Sequence, residues 1–362
     1  MYSKKDVISL IVALLAFVAI INIPFAGDLS PQGKVMIAVT AAMFIIWVAE
    51  PVTPAVSTFF IFGLIGLGIP LTKEPNGTFL TTAKALDMAL SGFTSSAWLL
   101  VFCALFIAAA IETTGLGERI GLLILSLTGG KTKSLLGGVV VASIALNSFI
   151  PAAVGTCAIL TAIMNSVLKD YKLNMRSNTV KACFLTISFG TLIGPLLFLT
   201  GGAPSVQAAK YILDATQHQI TYGKFFIYGL PMAVLMGTAL FVLVSKLFPP
   251  EQEELLGGAE VIRAKLASLG PLKGDQKRLM AVLATTVALW ATGGLLHKLD
   301  LGMVALLAVI VIFLPFMKIG TWKKLSASIN WGTIVFFGAA ISLGTSLLRT
   351  GAASFARIRT SA

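Results

Sequence analysis

Five polar side chains lie within otherwise apolar stretches of the sequence, and their chemistry suits the binding of a small ion. They are Asn147, Ser148, Thr156, Thr200 and Ser205. Amides and hydroxyls donate hydrogen bonds to an anion, which the partial positive charge of a helix amino terminus also favours. Main-chain carbonyls of unwound segments coordinate a cation such as sodium without burying a full negative charge. The candidate cation-binding residues are Ser148, Ala152 and Gly201.

The two stretches that carry these residues are each interrupted by helix breakers. The first, Leu136–Met164, is bent at its middle, and the second, Val180–Tyr211, is cut by several glycines and prolines. The predicted structural breaks are Pro151, Gly194, Pro195, Gly202 and Pro204. At membrane depth, backbone groups freed by such breaks must face protein, water or a bound ion. Two interrupted segments close together are typical of a transporter's binding site. The alternative is a pair of kinked helices that serve packing alone, since Gly and Pro are common in membrane helices.

The composition identifies the class of protein. Of 362 residues, 57% are hydrophobic and only 12% are charged, whereas soluble domains are about a quarter charged. The sequence therefore predicts an all-α polytopic membrane protein. The net charge of +12 does not indicate nucleic-acid binding, because the basic residues are spread between apolar spans. The three cysteines lie inside apolar runs without metal-binding spacing, and both histidines lie in short polar turns, so we expect no metal other than possible sodium.

Apolar runs of about 18 residues or more are candidates to cross a bilayer. The candidate spans are Asp6–Ala26, Lys34–Ala49, Thr53–Leu71, Ala97–Thr114, the bent Leu136–Met164, the broken Val180–Tyr211, Lys224–Phe248, Leu279–Leu296, Leu301–Met317 and Trp331–Leu348. They predict four regions: scaffold helices of a first repeat at 1–135, a transport part at 136–248, a cytoplasmic amphipathic linker at 249–278, and scaffold helices that begin a second repeat at 279–362.

Lysine and arginine set the predicted orientation, because they concentrate in cytoplasmic loops. If the amino end is cytoplasmic and Leu136–Met164 enters and leaves on one side, most basic residues fall inside. If that stretch crossed fully, every later loop would change sides and the bias would largely vanish. The charges thus predict a re-entrant hairpin that opens to the cytoplasm, in the cell (inner) membrane.

An internal repeat links the two halves of the chain. Both Trp98 and Trp331 lie near the start of an apolar helix, and the two helices end in Thr114-Gly115 and Thr350-Gly351. A repeat of this kind is typical of inverted-repeat transporters. In the first copy the hairpin and the broken helix follow, whereas after the second copy only eleven more residues follow. We therefore read the second repeat as incomplete.

Several short motifs, in this order and spacing, resemble the divalent anion:sodium symporter family, which carries dicarboxylates, citrate or sulfate. The motifs are Phe198-Leu199-Thr200-Gly201-Gly202-Ala203-Pro204, Gly229-Leu230-Pro231, Pro249-Pro250-Glu251, Leu269-Gly270-Pro271-Leu272 and Ile329-Asn330-Trp331. The first resembles the citrate and dicarboxylate exchanger branch. In that family a Ser-Asn-Thr tip belongs to the hairpin; here Ala152-Ala153-Val154 stands in its place, and Ser205 replaces the usual Asn of the broken helix.

The resemblance implies a secondary transporter of di- or tricarboxylates or of sulfate, either sodium-coupled or exchanging, without a cofactor. Its expected partners are the anionic substrate, the lipid bilayer and a second copy bound through the scaffold helices, forming a homodimer. An inactive truncated remnant is the alternative, and from the missing second hairpin we expect the 362-residue chain not to transport on its own. An intramembrane enzyme is disfavoured, because no G-x-S-x-G or H-E-x-x-H motif lies in an apolar run.

Overall fold

A computed structural model of the chain describes residues 3–24, 29–73, 77–148, 150 and 153–353, and these are overwhelmingly helical. The helices in chain order are α1 Lys4–Asn22, α2 Pro31–Ala49, α3 Pro54–Gly68, α4 Thr82–Leu90, α5 Ser96–Thr114, α6 Leu116–Ser126, α7 Thr132–Leu146, α8 Ala153–Asp170, α9 Asn178–Leu197, α10 Ala203–Thr216, α11 Tyr222–Leu247, α12 Gly258–Ser268, α13 Gly274–Thr292, α14 Leu301–Phe313, α15 Trp322–Ser326 and α16 Trp331–Arg349.

Seven helices within the described part of the chain are long and apolar enough to cross a membrane: α1, α2, α3 with its 3₁₀ extension to Leu71, α5, α9, α11 and α16. Helix α13 is not among them, and its first turns carry Asp275, Lys277 and Arg278. Helices α7 and α14 are apolar but shorter. The chain is therefore all-α and polytopic, as its composition predicts.

Two predicted spans extend beyond the carboxyl ends of the helices that form. The span Leu279–Leu296 ends at Thr292, because Gly294 adopts a φ of +81° that closes a turn. The span Leu301–Met317 ends at Phe313, where Pro315 begins a short 3₁₀ turn. Glycine takes a positive φ without steric cost and proline supplies no backbone donor. Both spans therefore end at breakers that an apolar run does not reveal.

The chain forms two compact units. One comprises Met1–Trp98 with Asn330–Ala362. Its core is an apolar cluster contributed by α1 to α4 and α16. Within this unit the amide of Gly92 donates to Ser342 Oγ at 2.9 Å, and a Cβ at Gly92 would lie 2.1 Å from the Gly338 carbonyl oxygen. Glycine is thus required where the backbone before α5 meets α16.

The repeated helices α5 and α16 match in detail. Each has 19 residues, and each is followed by a glycine with positive φ, +71° at Gly115 and +76° at Gly351. The hydroxyls of Thr114 and Thr350 both donate to the carbonyl four residues earlier, at 2.7 and 2.8 Å. The two sequences therefore specify the same helix with the same ending.

The second compact unit is Leu99–Ile329, and within it α7 and α8 form a hairpin. Near the start of α7, the Thr132 hydroxyl donates to the Gln252 carbonyl at 2.6 Å. After the end of α8, the Tyr171 hydroxyl donates to the Gly258 carbonyl at 2.8 Å. Both ends of the pair thus lie against one short segment, residues 249–258, which we call the strap. This confirms the hairpin predicted for Leu136–Met164; the membrane face to which it opens stays a prediction.

The strap also holds the start of the broken helix. The Glu251 carboxylate accepts hydrogen bonds from the backbone N–H of Asn178 at 2.5 Å and of Thr179 at 3.2 Å. It also accepts one from the Thr179 hydroxyl at 2.9 Å. Burial alone would raise the pKa of the Glu251 carboxyl. The hydrogen bonds it accepts lower the pKa by more than burial raises it, so the pKa lies below its ordinary value. A carboxylate at a helix amino terminus also interacts favourably with the helix dipole. The strap therefore joins the hairpin to α9.

Candidate functional site

The break in the second apolar stretch is shorter than the sequence predicts. Helix α9 continues through Gly194 and Pro195 to Leu197, a 3₁₀ turn spans Leu199–Gly201, and α10 begins at Ala203. Pro204 lies in the first turn of α10, where its missing amide costs nothing. The predicted break is confirmed, but two of the predicted structural breaks, Gly194 and Pro195, lie inside α9.

Asn147 explains why α9 survives Pro195. A proline at 195 has no N–H, so the Thr191 carbonyl loses the donor that a helix normally provides. The side-chain amide of Asn147, at the end of α7, donates to this carbonyl at 3.3 Å and to the Ser143 carbonyl at 2.7 Å. Asn147 is fully buried. Its amide therefore repairs the proline defect from the neighbouring helix.

Small residues let these two helices approach. Gly190 and Gly194 are one turn apart on α9, and Ser143 and Asn147 are one turn apart on α7. A Cβ at Gly190 would lie 2.8 Å from Ser143 Cβ, and one at Gly194 would lie 2.4 Å from Asn147 Cβ. Such small-residue spacing is common where membrane helices pack closely. The seam between α7 and α9 thus brings the hairpin end against the helix that breaks.

Of the three polar candidate residues in the hairpin, Asn147 and Thr156 contact each other, whereas the Ser148 hydroxyl donates to neither. The buried Thr156 hydroxyl, in the first turns of α8, lies 3.5 Å from Asn147 Oδ1 and donates to it. The Ser148 hydroxyl, in the turn after α7, donates to the Ala145 carbonyl near the end of that helix at 2.7 Å. Pro151 and Ala152 lie outside the described residues. The structure therefore brings Asn147 and Thr156 together, while the Ser148 hydroxyl bonds locally.

Ser205 stabilises the other side of the break. Its hydroxyl donates to the Pro195 carbonyl at 2.5 Å, one of the carbonyls that have no partner at a helix end. Gly201 and Gly202 permit this fold-back, since Cβ atoms there would lie 3.1 Å from atoms of Pro195. Ser205 thus bonds the amino end of α10 to the carboxyl end of α9.

Thr200 differs from the other four candidates. It is 2% exposed, and its hydroxyl makes no hydrogen bond to any described residue. The Tyr222 hydroxyl, at the start of α11, lies beside it, close enough to interact but without hydrogen-bond geometry. Both amide atoms of Gln207 in α10 are likewise buried and unpaired. The break is therefore flanked by polar groups that the described protein leaves unsatisfied.

Tyr222 and Gln207 were not among the residues predicted from the sequence. A tyrosine that follows a polar turn at the start of an apolar helix has the pattern of an interfacial aromatic residue, which masks its burial. Gln207 lies one turn beyond the break and belongs to no recognisable sequence motif.

Within the described residues, no group of three or more His, Cys, Asp and Glu side chains could hold a metal ion. The side chains described around the break, Asn147, Thr200, Ser205, Gln207 and Tyr222, are neutral hydrogen-bonding groups.

A hairpin packed against an interrupted helix, in a chain of many apolar helices, defines the class of multi-pass membrane transporters with discontinuous helices. Comparison with known proteins gives the family. A family model described as the transmembrane region of sodium:sulfate symporters matches residues 4–358, so the chain belongs to the sodium:sulfate symporter family. This confirms the resemblance to the divalent anion:sodium symporters and makes the protein a multi-pass member of a family of anion transporters.

Individual relatives extend over nearly the whole chain. A membrane protein of Cupriavidus necator is 34% identical over 347 residues, which cover 95% of this chain and 67% of that protein. The L-tartrate/succinate antiporters of Escherichia coli and Shigella dysenteriae are each 26% identical over 353 residues, covering 94% of this chain and 71% of theirs. The names of the family and of these antiporters point to transport rather than to an enzyme.

Proposed function

We propose that this protein binds and translocates small dianionic carboxylates of the tartrate and succinate type at the α9–α10 break. The observation that carries the proposal is the buried, unpaired Thr200 hydroxyl at the break, directly before the amino end of α10. A hydroxyl donor and a helix amino terminus both favour a carboxylate. The names of the E. coli and Shigella relatives support the same substrate class.

The other predicted residues have distinct roles in this proposal. Ser148 and Ser205 can turn their hydroxyls from local carbonyls toward a ligand, whereas Asn147 and Thr156 hold the hairpin end in place. Sodium is the proposed coupling ion, with carbonyl oxygens of Ser148, Ala152 and Gly201 as its ligands. A site of carbonyls and hydroxyls suits sodium, and exchange of one anion for another is the alternative mode.

The test is uptake by proteoliposomes that contain the purified full chain. Vesicles loaded with succinate are offered labelled L-tartrate or succinate outside, with and without an inward sodium gradient; citrate and sulfate are added as competitors. Saturable uptake that requires internal succinate indicates exchange, and uptake that follows the sodium gradient indicates symport. If none of these anions shows saturable uptake, the proposed translocation is wrong, and the expectation that this 362-residue chain does not transport on its own is met. If none of them binds to the purified chain either, the proposed binding site is wrong as well.

Thr200→Val is the matching variant, because it keeps the side-chain shape and removes the hydroxyl. Losing one hydrogen bond to a charged ligand costs about 1.5–3 kcal/mol, so we expect the apparent affinity to fall roughly 10-fold or more. Thr40→Val is the control, since the Thr40 hydroxyl lies in α2, away from the break, and donates to the Met36 carbonyl of the same helix at 2.7 Å. Equal uptake by both variants would remove Thr200 from the site.

A further inference from the structure

One face of α11 covers the break. The residues on this face, spaced by three or four positions, are Tyr222, Phe226, Gly229 and Ala233. The Phe226 ring packs on Phe198, which directly precedes the 3₁₀ turn, with 5.7 Å between ring centroids. A Cβ at Gly229 would lie 2.1 Å from the Leu196 carbonyl oxygen, so α11 contacts the backbone at the end of α9. This face therefore forms a wall of the break region.

Tyr222 is the polar end of this wall. It is 6% exposed, and its ring stacks on Trp290 of α13 at 6.0 Å between centroids and 23° between planes. Tyr222 lies one turn before Phe226, whose ring packs on Phe198. Its own ring is held by Trp290, so its hydroxyl lies close to the Thr200 hydroxyl. Neither hydroxyl has a hydrogen-bond partner among the described residues.

Such a pair is unfavourable unless something binds it. Leaving a buried polar group without a partner destabilises a protein, and buried polar groups in proteins are nearly always paired. Here two hydroxyls and the Gln207 amide, all unpaired, lie in segments that flank a single break. Two adjacent hydroxyl donors present the geometry that a carboxylate accepts, since each of its oxygens can take a hydrogen bond.

We infer that the Tyr222 hydroxyl donates, together with Thr200, to a carboxylate of the bound substrate, and that Tyr222 is a specificity-determining residue of this protein. The inference rests on the proposed function, because it assigns a further residue to the same site. A site built to hydrogen-bond a ligand group discriminates strongly against analogues that lack it. The pair of hydroxyls receives the second carboxylate, which butyrate lacks, so Tyr222 favours dicarboxylates over monocarboxylates such as butyrate.

The experiment measures succinate binding to the purified full chain by isothermal titration calorimetry, with butyrate as the monocarboxylate. Tyr222→Phe removes the hydroxyl and keeps the ring on Trp290. We expect the succinate affinity to fall at least about 10-fold, the value of one hydrogen bond to a charged group, while weak butyrate binding stays unchanged. Tyr228→Phe is the matched control: this tyrosine of α11 is 69% exposed, and we expect its variant to bind as the wild type does.

The outcomes separate the inference from the proposed function. If the wild-type chain binds no dicarboxylate, the proposed function fails. If it binds succinate and Tyr222→Phe binds equally well, with a higher unfolding temperature, the hydroxyl is merely an unsatisfied group and the inference alone is wrong.

A second measurement is independent of whether Tyr222→Phe folds. Because Trp290 stacks on the Tyr222 ring, we expect succinate to change the tryptophan fluorescence of the wild type and this change to be lost in Trp290→Phe. An unchanged emission during a titration that shows binding by calorimetry would contradict the inference.

Discussion

Asn147 shows how one side chain can make a broken helix possible. Its amide donates to the carbonyl that Pro195 deprives of a partner, and its Oδ1 accepts from Thr156. Three elements, α7, α8 and α9, thus meet at a single buried amide. Its role in this structure is to position the hairpin end against α9, and its atoms are already engaged before any ligand is considered.

The close approach of Asn147 gives a prediction for Gly194→Ala. The new Cβ would lie 2.4 Å from Asn147 Cβ, and Asn147 is buried and cannot move away. Overpacking of this kind typically costs about 1–3 kcal/mol, so we expect a lower unfolding temperature in detergent. Gly63→Ala is the control: it makes the same change within α3, where a Cβ meets nothing within 4 Å. Equal unfolding temperatures for the two variants would show that the α7–α9 seam is not close-packed.

The sequence indicates some of these residues and not others. Amide and hydroxyl side chains beside glycine and proline indicate the region of the break, where Asn147, Thr156, Thr200 and Ser205 lie; their part in binding stays a prediction. Which of them have free polar atoms depends on contacts between distant helices, and the sequence alone does not show those contacts. For that reason Tyr222, which reaches the break from α11 and stacks on Trp290, was invisible to motif analysis.

At the scale of elements, the strap ties together helices that must keep a common geometry. It bonds to Thr132 at the start of α7, to Tyr171 after α8 and to the amino end of α9. Lys265 of α12 adds an ion pair to Asp170 at 2.5 Å. The hairpin and the broken helix are thus joined at the strap as well as along the seam, which favours their movement as one body.

The Glu251 carboxylate makes this junction dependent on pH. Folding lowers its pKa from the ordinary value of 4.5, so its contribution to stability is present above that pH and is lost as the pH falls through the folded-state pKa. We expect Glu251→Gln to lower the unfolding temperature at pH 7, and the difference from wild type to shrink as the pH drops below about 4.5. Thermal unfolding of the wild type and of Glu251→Gln between about pH 7 and pH 3.5 measures this difference in unfolding temperature.

Glu253→Gln serves as the control for that measurement. It makes the same chemical change two residues along the strap, at an exposed side chain, and should leave the unfolding temperature unchanged at every pH. A Glu251→Gln difference that stays constant from pH 7 to pH 3.5 would show that the charge of Glu251 does not hold α9.

Element boundaries show where pattern reasoning succeeds. Apolar length placed α2, α5, α11 and α16 within a few residues of their observed ends, because a helix must satisfy its own backbone inside a membrane. The break between α9 and α10 is shorter than predicted, because Pro195 is taken as a helix breaker although the Asn147 side-chain amide donates to the carbonyl that the proline leaves without a donor. Helix α13 begins at Gly274, inside the predicted linker 249–278, since polar first turns do not stop a helix.

At the scale of the whole molecule, charge and geometry support one arrangement of the second unit. The hairpin ends lie against the strap, and the segments around them carry Lys131, Lys133, Lys169 and Lys172. The turn before α11 contacts the turn after α13, since a Cβ at Gly294 would lie 2.9 Å from the Thr221 side chain. The two turns thus lie together, and few basic residues occur in them.

The arrangement predicts which positions an impermeant maleimide reaches from outside intact cells. In a background without Cys103, Cys157 and Cys183, single cysteines replace His218 and Lys298 in the two turns, and Lys133, Lys172 and Glu253 near the strap; all five positions are exposed. Because basic residues remain in the cytoplasm, we expect labelling at 218 and 298 in intact cells, and at 133, 172 and 253 only after permeabilisation.

Each departure from this pattern has a separate meaning. Labelling of 133 and 172 from opposite sides would contradict the hairpin, because its two ends could then not share the strap. A complete exchange of the two groups would leave the hairpin intact and reverse only the orientation, which rests on the distribution of lysine and arginine. Agreement at all five positions would place the strap in the cytoplasm, where the cellular pH lies well above the pKa of Glu251 and keeps the junction with α9 closed.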